Sequence, residues 1–381
     1  MIKMKTTLKA KIEQFQNHLP YKMEPYSKKN WGHPLHSLCS YQGKLKPSIA
    51  YWLIKEFVPE GGSVLDPIGG VGTIPFEASM SGRYSVSNDK SPFASTIAKG
   101  KLAPISLNEF ENLLALIKTK YDQIDLSEDD YENANFGLNA SVKDYYHPKT
   151  LEEILKLKKM FLSNNSHEKT DGENFFWSCL LHILHGNRPY ALSRKSHPIT
   201  PFSPTGEFEY KNTFVKIKEK AERALSVELP STFLPGLGIH GDFRELAKTS
   251  FKYDAIITSP PFYGMRFDRP NWLRLWFCGW SDENFKKESL EYLERQQVAN
   301  IEVYNDFFSM CHKVIKKDGI LILHLGKGGK KDMSEELKKL APPNFEYVGE
   351  ALDCVQEVAN HGIKDKGFTK AHNLLFFTPI F

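Results

Sequence analysis

One segment, VLDPIGGVGTIPFEA, restricts the fold of this chain more than any other part of the sequence. A short apolar run ends at Asp66 and Pro67, a turn containing Gly70 and Gly72 follows, and a helical pattern begins at Thr73. This order is typical of a buried parallel strand that turns directly into a helix. Glycines suit such a turn because a ligand can then approach the backbone without meeting a Cβ atom.

The same alternation continues on both sides of a long interruption. YSVSND is a second predicted strand, ending at Asp89, and PFASTIAKGKL is a second helical pattern. Beyond the interruption, GIHGDF, YDAIITSPP, GILILHL and two apolar runs near EYVGEALDCV and AHNLLFFTPIF complete a set of strands. Strands that alternate with helices predict an α/β fold with a doubly wound, mostly parallel sheet.

Between residues 105 and 235 the pattern is helical, with little that resembles a strand. We therefore predict three sections: a basic arm with the first half of the α/β domain (1–104), a helical insertion (105–235) and the second half of the domain (236–381). The arm is basic because residues 1–48 contain nine lysines and two glutamates. Beside the motifs described next, contact with phosphate groups is favoured over a merely solvated surface.

Composition and cysteine spacing exclude several classes of protein. The chain has no run of about 18 apolar residues, and its lysine-rich N-terminus lacks a signal core and a cleavage site. We therefore expect a cytoplasmic protein with no membrane contact. The five cysteines lie far apart without a CxxC pair, which argues against a metal or redox centre and favours reduced, buried thiols. A net charge of +4 is too small to indicate a polyanionic partner by itself.

The acids at the strand ends indicate the kind of ligand. The turn after Asp66 does not have the G-x-G-x-x-G spacing of a dinucleotide site, and an acid followed by Pro67 would repel a pyrophosphate. A ligand with an ammonium or sulfonium group would tolerate that acid. Asp89 lies at the end of the next strand, where a carboxylate can accept both hydroxyls of a ribose. N-capping of the following helix is its structural alternative.

A second rigid turn closes the very apolar strand YDAIITSPPF, where Ser259, Pro260, Pro261 and Phe262 stand in sequence. Two prolines cannot continue the strand pairing and fix an extended turn. An aromatic amine is a poor nucleophile, and the Ser259 hydroxyl and Pro260 carbonyl could orient its protons while Phe262 stacks on an extruded base. The alternative is a plain strand-ending turn. No cysteine follows a proline, so a cysteine-linked pyrimidine intermediate is not expected.

Together these motifs resemble the amino-methylating DNA methyltransferases of bacterial modification systems, especially those acting on cytosine. The cofactor motif of that family matches Asp66, Pro67, Gly70, Gly72 and Thr73, and its catalytic motif matches Ser259, Pro260, Pro261 and Phe262. HPLHSLCSYQGKLKPS, which contains Tyr41, resembles a further cofactor-side motif. Asp242 in GDF resembles the acid that accepts a hydrogen bond from the adenine amine. The match covers roughly residues 31–102 and 238–381.

The resemblance implies a class I S-adenosylmethionine-dependent methyltransferase fold, S-adenosylmethionine as the cofactor, DNA as the partner and a cognate restriction endonuclease beside it. It favours the 4-amino group of cytosine, because adenine and guanine enzymes usually carry Asp or Asn at the position of Ser259. Ile68 and Gly69 replace the usual aromatic and small residues, Phe262 replaces the commoner Tyr, and the insertion breaks the usual motif spacing. The alternatives are an adenine 6-amino methyltransferase, an RNA base methyltransferase and a non-catalytic nucleic-acid-binding protein.

Target recognition is predicted to come from the insertion, because the cofactor and base pockets are generic. Its HGNRPYALSRKSHPITPF stretch combines basic and aromatic side chains with prolines. The residues predicted to contact DNA are Arg188, Tyr190, Arg194 and Lys195 in the insertion and Arg266, Arg269 and Arg274 after the Ser-Pro-Pro-Phe turn. Alternatively, the insertion residues tie the inserted helices to the sheet through pairs with carboxylates.

Overall fold

In the computed structural model, which describes residues 2–28, 30–163, 168–327, 332–354 and 371–381, seven strands form one sheet. The strands are β1 (Ser63–Asp66), β2 (Tyr84–Asp89), β3 (Leu237–His240), β4 (Tyr253–Thr258), β5 (Ile315–Lys327), β6 (Phe345–Cys354) and β7 (Ala371–Pro379). Their order across the sheet is β3-β2-β1-β4-β5-β7-β6. The first five strands of this order pair in parallel, and β7 runs antiparallel between β5 and β6.

Helices cover both faces of this sheet and fill the long interruption. In chain order they are α1 (Ile2–His18), α2 (Pro47–Phe57), α3 (Thr73–Met80), α4 (Pro92–Leu102), α5 (Leu107–Tyr121), α6 (Glu128–Glu132), α7 (Pro148–Ser163), α8 (Asp171–Ile183), α9 (Thr213–Ala224), α10 (Trp272–Phe277), α11 (Asp282–Lys286), α12 (Leu293–Ala299), α13 (Val303–Val314) and α14 (Met333–Leu340). The predicted doubly wound, mostly parallel α/β fold with a helical insertion is confirmed. Within the described ranges, no helix is both long enough and apolar enough to cross a bilayer.

Alternate residues of the central strands bury their side chains on opposite faces of the sheet. On one face, Val64 of β1 packs with Ala255 and Ile257 of β4 and with apolar residues of α1, α2 and α3. On the other face, Leu65 and Ile256 pack with apolar residues of α13 and α14. A strand that is buried on both faces needs a continuous apolar run, which is why these strands can be recognised from the sequence.

The insertion adds a third apolar cluster beside the sheet. Apolar faces of α5, α7, α8 and α9 join residues of α4 and α10 in this cluster. α8 approaches α4 closely, since the Ser178 hydroxyl donates to the Thr96 carbonyl at 3.1 Å. A Cβ atom on Gly100 would lie 2.8 Å from the Asn174 carbonyl oxygen, so α4 needs a glycine where the two helices meet.

Arg274, predicted from the sequence to contact DNA, lies in the protein core instead. It is fully buried on α10, and its guanidinium donates to the carbonyl oxygens of Leu181 and Ser40 (both 3.0 Å), to Asn271 Oδ1 (2.9 Å) and to Ser40 Oγ (2.8 Å). A buried charge needs such partners because its desolvation is costly. The side chain therefore joins α10 to α8 and to the segment that precedes α2.

Replacing Arg274 with Met should lower the free energy of unfolding by roughly 3 kcal/mol, because several polar acceptors would lose their donor inside the core. Urea unfolding followed by circular dichroism measures the loss. The matched control is Arg269→Met, at an exposed position before α10, and it should change stability by less than about 0.5 kcal/mol. A stable Arg274→Met variant with weakened DNA binding would restore the role first predicted for this residue.

Candidate functional site

A cleft opens at the carboxyl edge of the sheet, where the strand order reverses between β1 and β4. Ligands bind preferentially at such switch points, because the loops that leave the strands diverge there. The cleft contains about 1000 Å³ of space, including a part that is open to solvent. Its lining brings together Asp66, Asp89, Asp242 and Ser259, which are far apart in the sequence.

The glycine turn between β1 and α3 leaves little room for side chains. A Cβ atom on Gly69 would lie 2.2 Å from Ser87 Oγ. Gly70 and Gly72 adopt φ values of +51° and +69°, in the left-handed region that favours glycine. The Gly70 amide donates a hydrogen bond of 2.8 Å to Asp89 Oδ2, which links the turn to the end of β2. Gly70 lines the cleft, whereas Gly72 packs against α4 at the start of α3.

Asp66 is a buried carboxylate, and Asp89 is a half-buried one. Asp66 is 3% exposed and accepts a hydrogen bond from the Ile68 amide, and burial raises its pKa to about 7. Asp89 accepts hydrogen bonds from the amides of Gly70 and Ser91, and burial raises its pKa to about 6. The hydroxyl of Ser91 caps α4, so the structure gives the capping role to Ser91 and leaves Asp89 facing the cleft.

Among the buried polar atoms of cleft residues, Thr73 Oγ1 and Asn88 Oδ1 have no hydrogen-bond partner within the described residues. Such atoms cost free energy, and they mark places where a ligand can supply the missing bond. Carboxylates together with neutral oxygens suit a ligand that carries positive charge and hydroxyl or amino groups. This lining fits S-adenosylmethionine, the cofactor that the sequence resemblance implies, and it fits a pyrophosphate poorly.

Asp242 lines the edge of the cleft and is already paired. Its carboxylate accepts hydrogen bonds from Lys90 Nζ and from the Arg244 guanidinium, each at 3.2 Å. Burial opposes its ionisation, but the Arg244 amide and these two cations hold its pKa below the ordinary value. Asp242 is therefore ionised at neutral pH.

Tyr41 forms a wall of the cleft together with the segment that follows the Ser-Pro-Pro-Phe turn. Its ring stacks on Phe267, with centroids 5.4 Å apart and an interplanar angle of 7°. A Cβ atom on Gly70 would lie 3.4 Å from the Tyr41 ring, so this ring covers the glycine turn. The pairing with Phe267 could not be predicted, because the two residues are distant in sequence and neither belongs to a periodic pattern.

Part of the Ser-Pro-Pro-Phe turn faces the cleft. Ser259 and Pro261 line it, whereas Pro260 is buried outside the lining and Phe262 packs against β5. The Pro261 carbonyl accepts a hydrogen bond of 2.9 Å from Gln297 Nε2 of α12. The turn is therefore fixed by α12 as well as by its two prolines.

His324 of β5 is a candidate site residue that the sequence-based prediction missed. Its Nδ1 lies 3.0 Å from Ser259 Oγ, and the rings of Phe262 and His372 pack beside it with centroids 5.9 and 4.9 Å away. Burial, and then the neighbouring His372, lower its pKa to about 3, so the imidazole is neutral at physiological pH. A neutral ring can accept the Ser259 proton on Nδ1, which leaves lone pairs of the Ser259 oxygen for another donor. The sequence feature that could have indicated His324 is its position near the carboxyl end of an apolar strand.

The arginines predicted to contact DNA lie outside the cleft lining, and two more of them, besides the buried Arg274, are engaged within the protein. Arg194 donates to the Gly206 carbonyl at 2.6 Å and to the Asp144 carbonyl at 3.1 Å, which ties parts of the insertion together. Arg266 forms an ion pair with the buried carboxylate of Asp268. Both arginines therefore have structural partners in the free protein.

The remaining predicted DNA contacts are more accessible. Tyr190 is half-buried: its ring stacks on His182 at 5.6 Å, and the Arg223 guanidinium lies 4.2 Å from its centroid. The exposed basic residues of the predicted set are Arg188, Lys195 and Arg269. These three offer positive charge to a phosphate without the loss of an internal bond.

Comparison with known proteins gives distant relatives. No protein-family model matches the chain. The Type II methyltransferase M.BsoBI of Geobacillus stearothermophilus is 23% identical over 297 residues, which cover 68% of this chain and 56% of that protein. The Type II methyltransferase M.MjaII of Methanocaldococcus jannaschii is 28% identical over 144 residues, which cover 37% of this chain and 27% of that protein. The chain thus spans about half of the first relative and about a quarter of the second.

Solved structures align with most of the chain, but with low scores. The rRNA methyltransferase aviRa of Streptomyces viridochromogenes aligns with 90% of this chain and 88% of its own, at 9% identity and a TM-score of 0.35. A score of that size carries no conclusion about function. The fold is assigned from the strand order and the helices on both faces of the sheet.

Replacing Asp66 with Asn should raise the stability of the ligand-free protein at about pH 8 by roughly 1–3 kcal/mol, because the change removes a charge that burial disfavours. The pKa of Asp66 rises from 3.8 to about 7 on folding, so the folded protein holds an extra proton between these values. The unchanged protein should therefore lose stability as the pH rises through this range, and the variant should lose that slope. Urea unfolding at several pH values measures both effects.

Asp254→Asn is a control for which the stability should change in the opposite direction. Hydrogen bonds from Lys316 and Ser63 hold the pKa of Asp254 below its ordinary value despite partial burial. Its charge therefore stabilises the fold, and the Asn variant should be less stable at about pH 8. An Asp66→Asn protein that is also less stable than the unchanged protein at this pH would contradict the interpretation of Asp66 as a desolvated charge.

Proposed function

We propose that the protein transfers a methyl group from S-adenosylmethionine to an exocyclic amino group of a DNA base, with the 4-amino group of cytosine as the target. The observation that carries this proposal is a single cleft lined both by Asp66 and Asp89 and by Ser259 and Pro261. Methyl transfer needs this proximity, because the amine and the methyl donor must meet in line. A turn with a purely structural role has no need to open into a cofactor cleft.

The cleft residues bind different parts of the cofactor. Asp66, at the end of β1, binds the ammonium group, and Asp89, at the end of β2, accepts the two ribose hydroxyls. Asp242, beside Phe243, accepts a hydrogen bond from the adenine amine, and the Tyr41 ring covers the glycine turn. When bound, the cofactor supplies an electrophilic methyl group on sulfur.

Ser259 orients the target amine. The lone pair of an aromatic amine is delocalised into the ring, and acceptors on its two N–H groups turn it toward the methyl group. Ser259 Oγ accepts one N–H while its own proton is bound by neutral His324 Nδ1, at 3.0 Å. The other N–H is assigned to the Pro260 carbonyl, as the sequence predicted, although Pro260 lies outside the cleft lining of the free protein. The Pro261 carbonyl is occupied by Gln297.

The transfer is direct, without a covalent enzyme intermediate. Bound S-adenosylmethionine would supply the methyl carbon. The amine nitrogen would bond to this carbon as the carbon–sulfur bond broke, with S-adenosylhomocysteine as the leaving group, and the nitrogen would then release one proton to solvent. All five cysteines lie among the described residues, and none of them lines the cleft. Burial raises the pKa of Cys179 and Cys278 to about 12, so neither is a thiolate at neutral pH.

DNA is the proposed substrate because the motifs resemble those of DNA amino-methyltransferases and because two similar proteins are Type II methyltransferases. The exposed Arg188, Lys195 and Arg269, with the lysine-rich residues 1–48, supply positive charge for phosphate contacts. A cognate restriction endonuclease and a cytoplasmic location belong to the same proposal. Adenine 6-amino groups and RNA bases are alternative targets. Identifying the nucleic acid and the base that receive the methyl group distinguishes them from cytosine in DNA.

Ser259→Ala should lower turnover by roughly a hundredfold, because the amine loses one orienting acceptor, while the affinity for S-adenosylmethionine stays within about twofold. Transfer of labelled methyl to duplex DNA, with RNA as the parallel acceptor, measures turnover, and calorimetry measures affinity. Ser226→Ala, at an exposed position after α9, is the matched control and should behave as the unchanged protein. Unchanged turnover in Ser259→Ala would mean that the turn has only a structural role. Labelled methyl found in RNA alone would exclude DNA as the substrate.

Asp89→Ala should weaken S-adenosylmethionine binding by roughly ten- to a hundredfold, because the ribose hydroxyls would lose a charged acceptor. Calorimetry gives the affinity, and thermal unfolding shows whether the fold survives. Asp122→Ala, at the exposed end of α5, controls for the loss of one negative charge. An Asp89→Ala protein that folds and binds the cofactor normally would remove Asp89 from the site.

A further inference from the structure

We propose that Glu294, in the first turn of α12, is a third acid of the cofactor cleft and makes the cleft prefer positively charged S-adenosylmethionine to its uncharged product, S-adenosylhomocysteine. This inference rests on the proposed function and deepens it. No sequence motif singles out Glu294, and the family resemblance does not reach it through any matched position.

The geometry places Glu294 in the cleft lining although it is 5% exposed. Its Oε1 accepts a hydrogen bond of 3.3 Å from the Phe267 amide. Phe267 is the residue whose ring stacks on Tyr41, and the Tyr41 ring lies against Gly70. Glu294 therefore fixes the position of Phe267, whose ring supports the Tyr41 ring over Gly70.

Glu294 also interacts electrostatically with Asp89, the acid proposed to bind the ribose. Burial, and then the charges of Asp268 and Asp89, raise the pKa of Glu294 to about 7 despite backbone hydrogen bonds that oppose this shift. Arg266 is the nearby cation, and its guanidinium is already paired with Asp268. Among the described residues, no lysine or arginine forms an ion pair with Glu294.

Asp66, Asp89 and Glu294 thus form a set of carboxylates in one cleft, of which Asp66 and Glu294 are buried and Asp89 is half-buried, and desolvation raises the pKa of all three. Buried anions that no side-chain cation neutralises are destabilising, and they are typical of sites where a charged ligand completes the balance. The unpartnered buried oxygens of Thr73 and Asn88 in the same lining independently indicate a polar ligand. The cleft is therefore built for a cation.

The position of Glu294 indicates that it interacts with the sulfonium group of the cofactor rather than with its ammonium or carboxylate group. The sulfur is attached directly to the ribose, whose hydroxyls are assigned to Asp89, and Glu294 faces both Asp89 and the wall over the glycine turn. The ammonium and carboxylate groups are the same in cofactor and product, whereas the sulfur carries a positive charge in the cofactor alone. A carboxylate close to the sulfur therefore distinguishes the two molecules.

The test compares affinities for S-adenosylmethionine and S-adenosylhomocysteine in Glu294→Gln, by calorimetry at about pH 8, where Glu294 is ionised. Gln keeps an acceptor for the Phe267 amide, so the fold should survive. The cofactor should bind roughly tenfold more weakly and the product less than about threefold more weakly. Glu288→Gln, the same change at an exposed position before α12, should alter neither affinity. Equal losses for both molecules, or no loss, would overturn the role of Glu294.

A second measurement uses the unchanged protein and does not depend on the variant's folding. The ratio of cofactor affinity to product affinity should fall as the pH is lowered from about 8 to about 6, as Glu294 takes up a proton. The titratable and charged groups that face Glu294 are Tyr41, Asp89, Arg266, Asp268, Tyr292 and Tyr304. Of these, Asp89 also titrates near this range, with a pKa of about 6, so the fall should begin above that value. A constant ratio would overturn the inference, and failure to bind either molecule would overturn the proposed function itself.

Discussion

The hydrogen bond from the Gly70 amide to the Asp89 carboxylate connects the ends of β1 and β2, and the shape of the cleft depends on it. A second bond, from the Gly69 amide to the Asn88 carbonyl at 2.8 Å, holds the turn in the same place. The turn can lie this close to β2 because Gly69 has no side chain: a Cβ atom on Gly69 would overlap with Ser87. The glycines therefore bring the acid at the end of β2 beside the acid at the end of β1.

The cleft has two parts, a charged half lined by carboxylates and a neutral half lined by the rigid Ser-Pro-Pro-Phe turn. In the charged half, Asp66 and Glu294 are buried, Asp89 is half-buried, and none of the three has a cationic partner among the described residues. Their desolvation lowers the stability of the free protein and favours a cationic ligand. In the neutral half, Ser259 is held by His324, and the Pro261 carbonyl is held from α12. Methyl transfer from a sulfonium to a neutral amine needs both, because one side must bind positive charge while the other orients lone pairs.

The fold could be predicted from local sequence, because short strand patterns alternate with helical ones and because the central strand β4 is buried and largely apolar. SVLD and YSVSND coincide with β1 and β2, and the acids that end these strands lie in one cleft. Residues whose roles depend on distant partners could not be predicted. Arg274 stands in an apparently amphipathic LRLWF segment, yet its acceptors come from Leu181 and Ser40.

His324 and Glu294 were missed for the same reason. Each is a polar residue in an element that the sequence marks as ordinary, and their contacts with Ser259 and Phe267 arise only when the sheet and α12 come together. The Ser-Pro-Pro-Phe turn could be predicted only in part. Its rigidity follows from two prolines, but the packing of Phe262 against β5 depends on the tertiary structure.

The most direct measurement is mass spectrometry of the nucleosides released from duplex DNA that the purified protein has methylated with isotope-labelled S-adenosylmethionine. The cleft geometry and the serine of the catalytic turn predict one labelled product, cytidine methylated on its 4-amino nitrogen. A label on the adenine 6-amino group would keep the chemistry and change the base. A label on carbon 5 of cytosine, which requires a covalent nucleophile, or DNA without any label, would contradict direct methylation of an exocyclic amine.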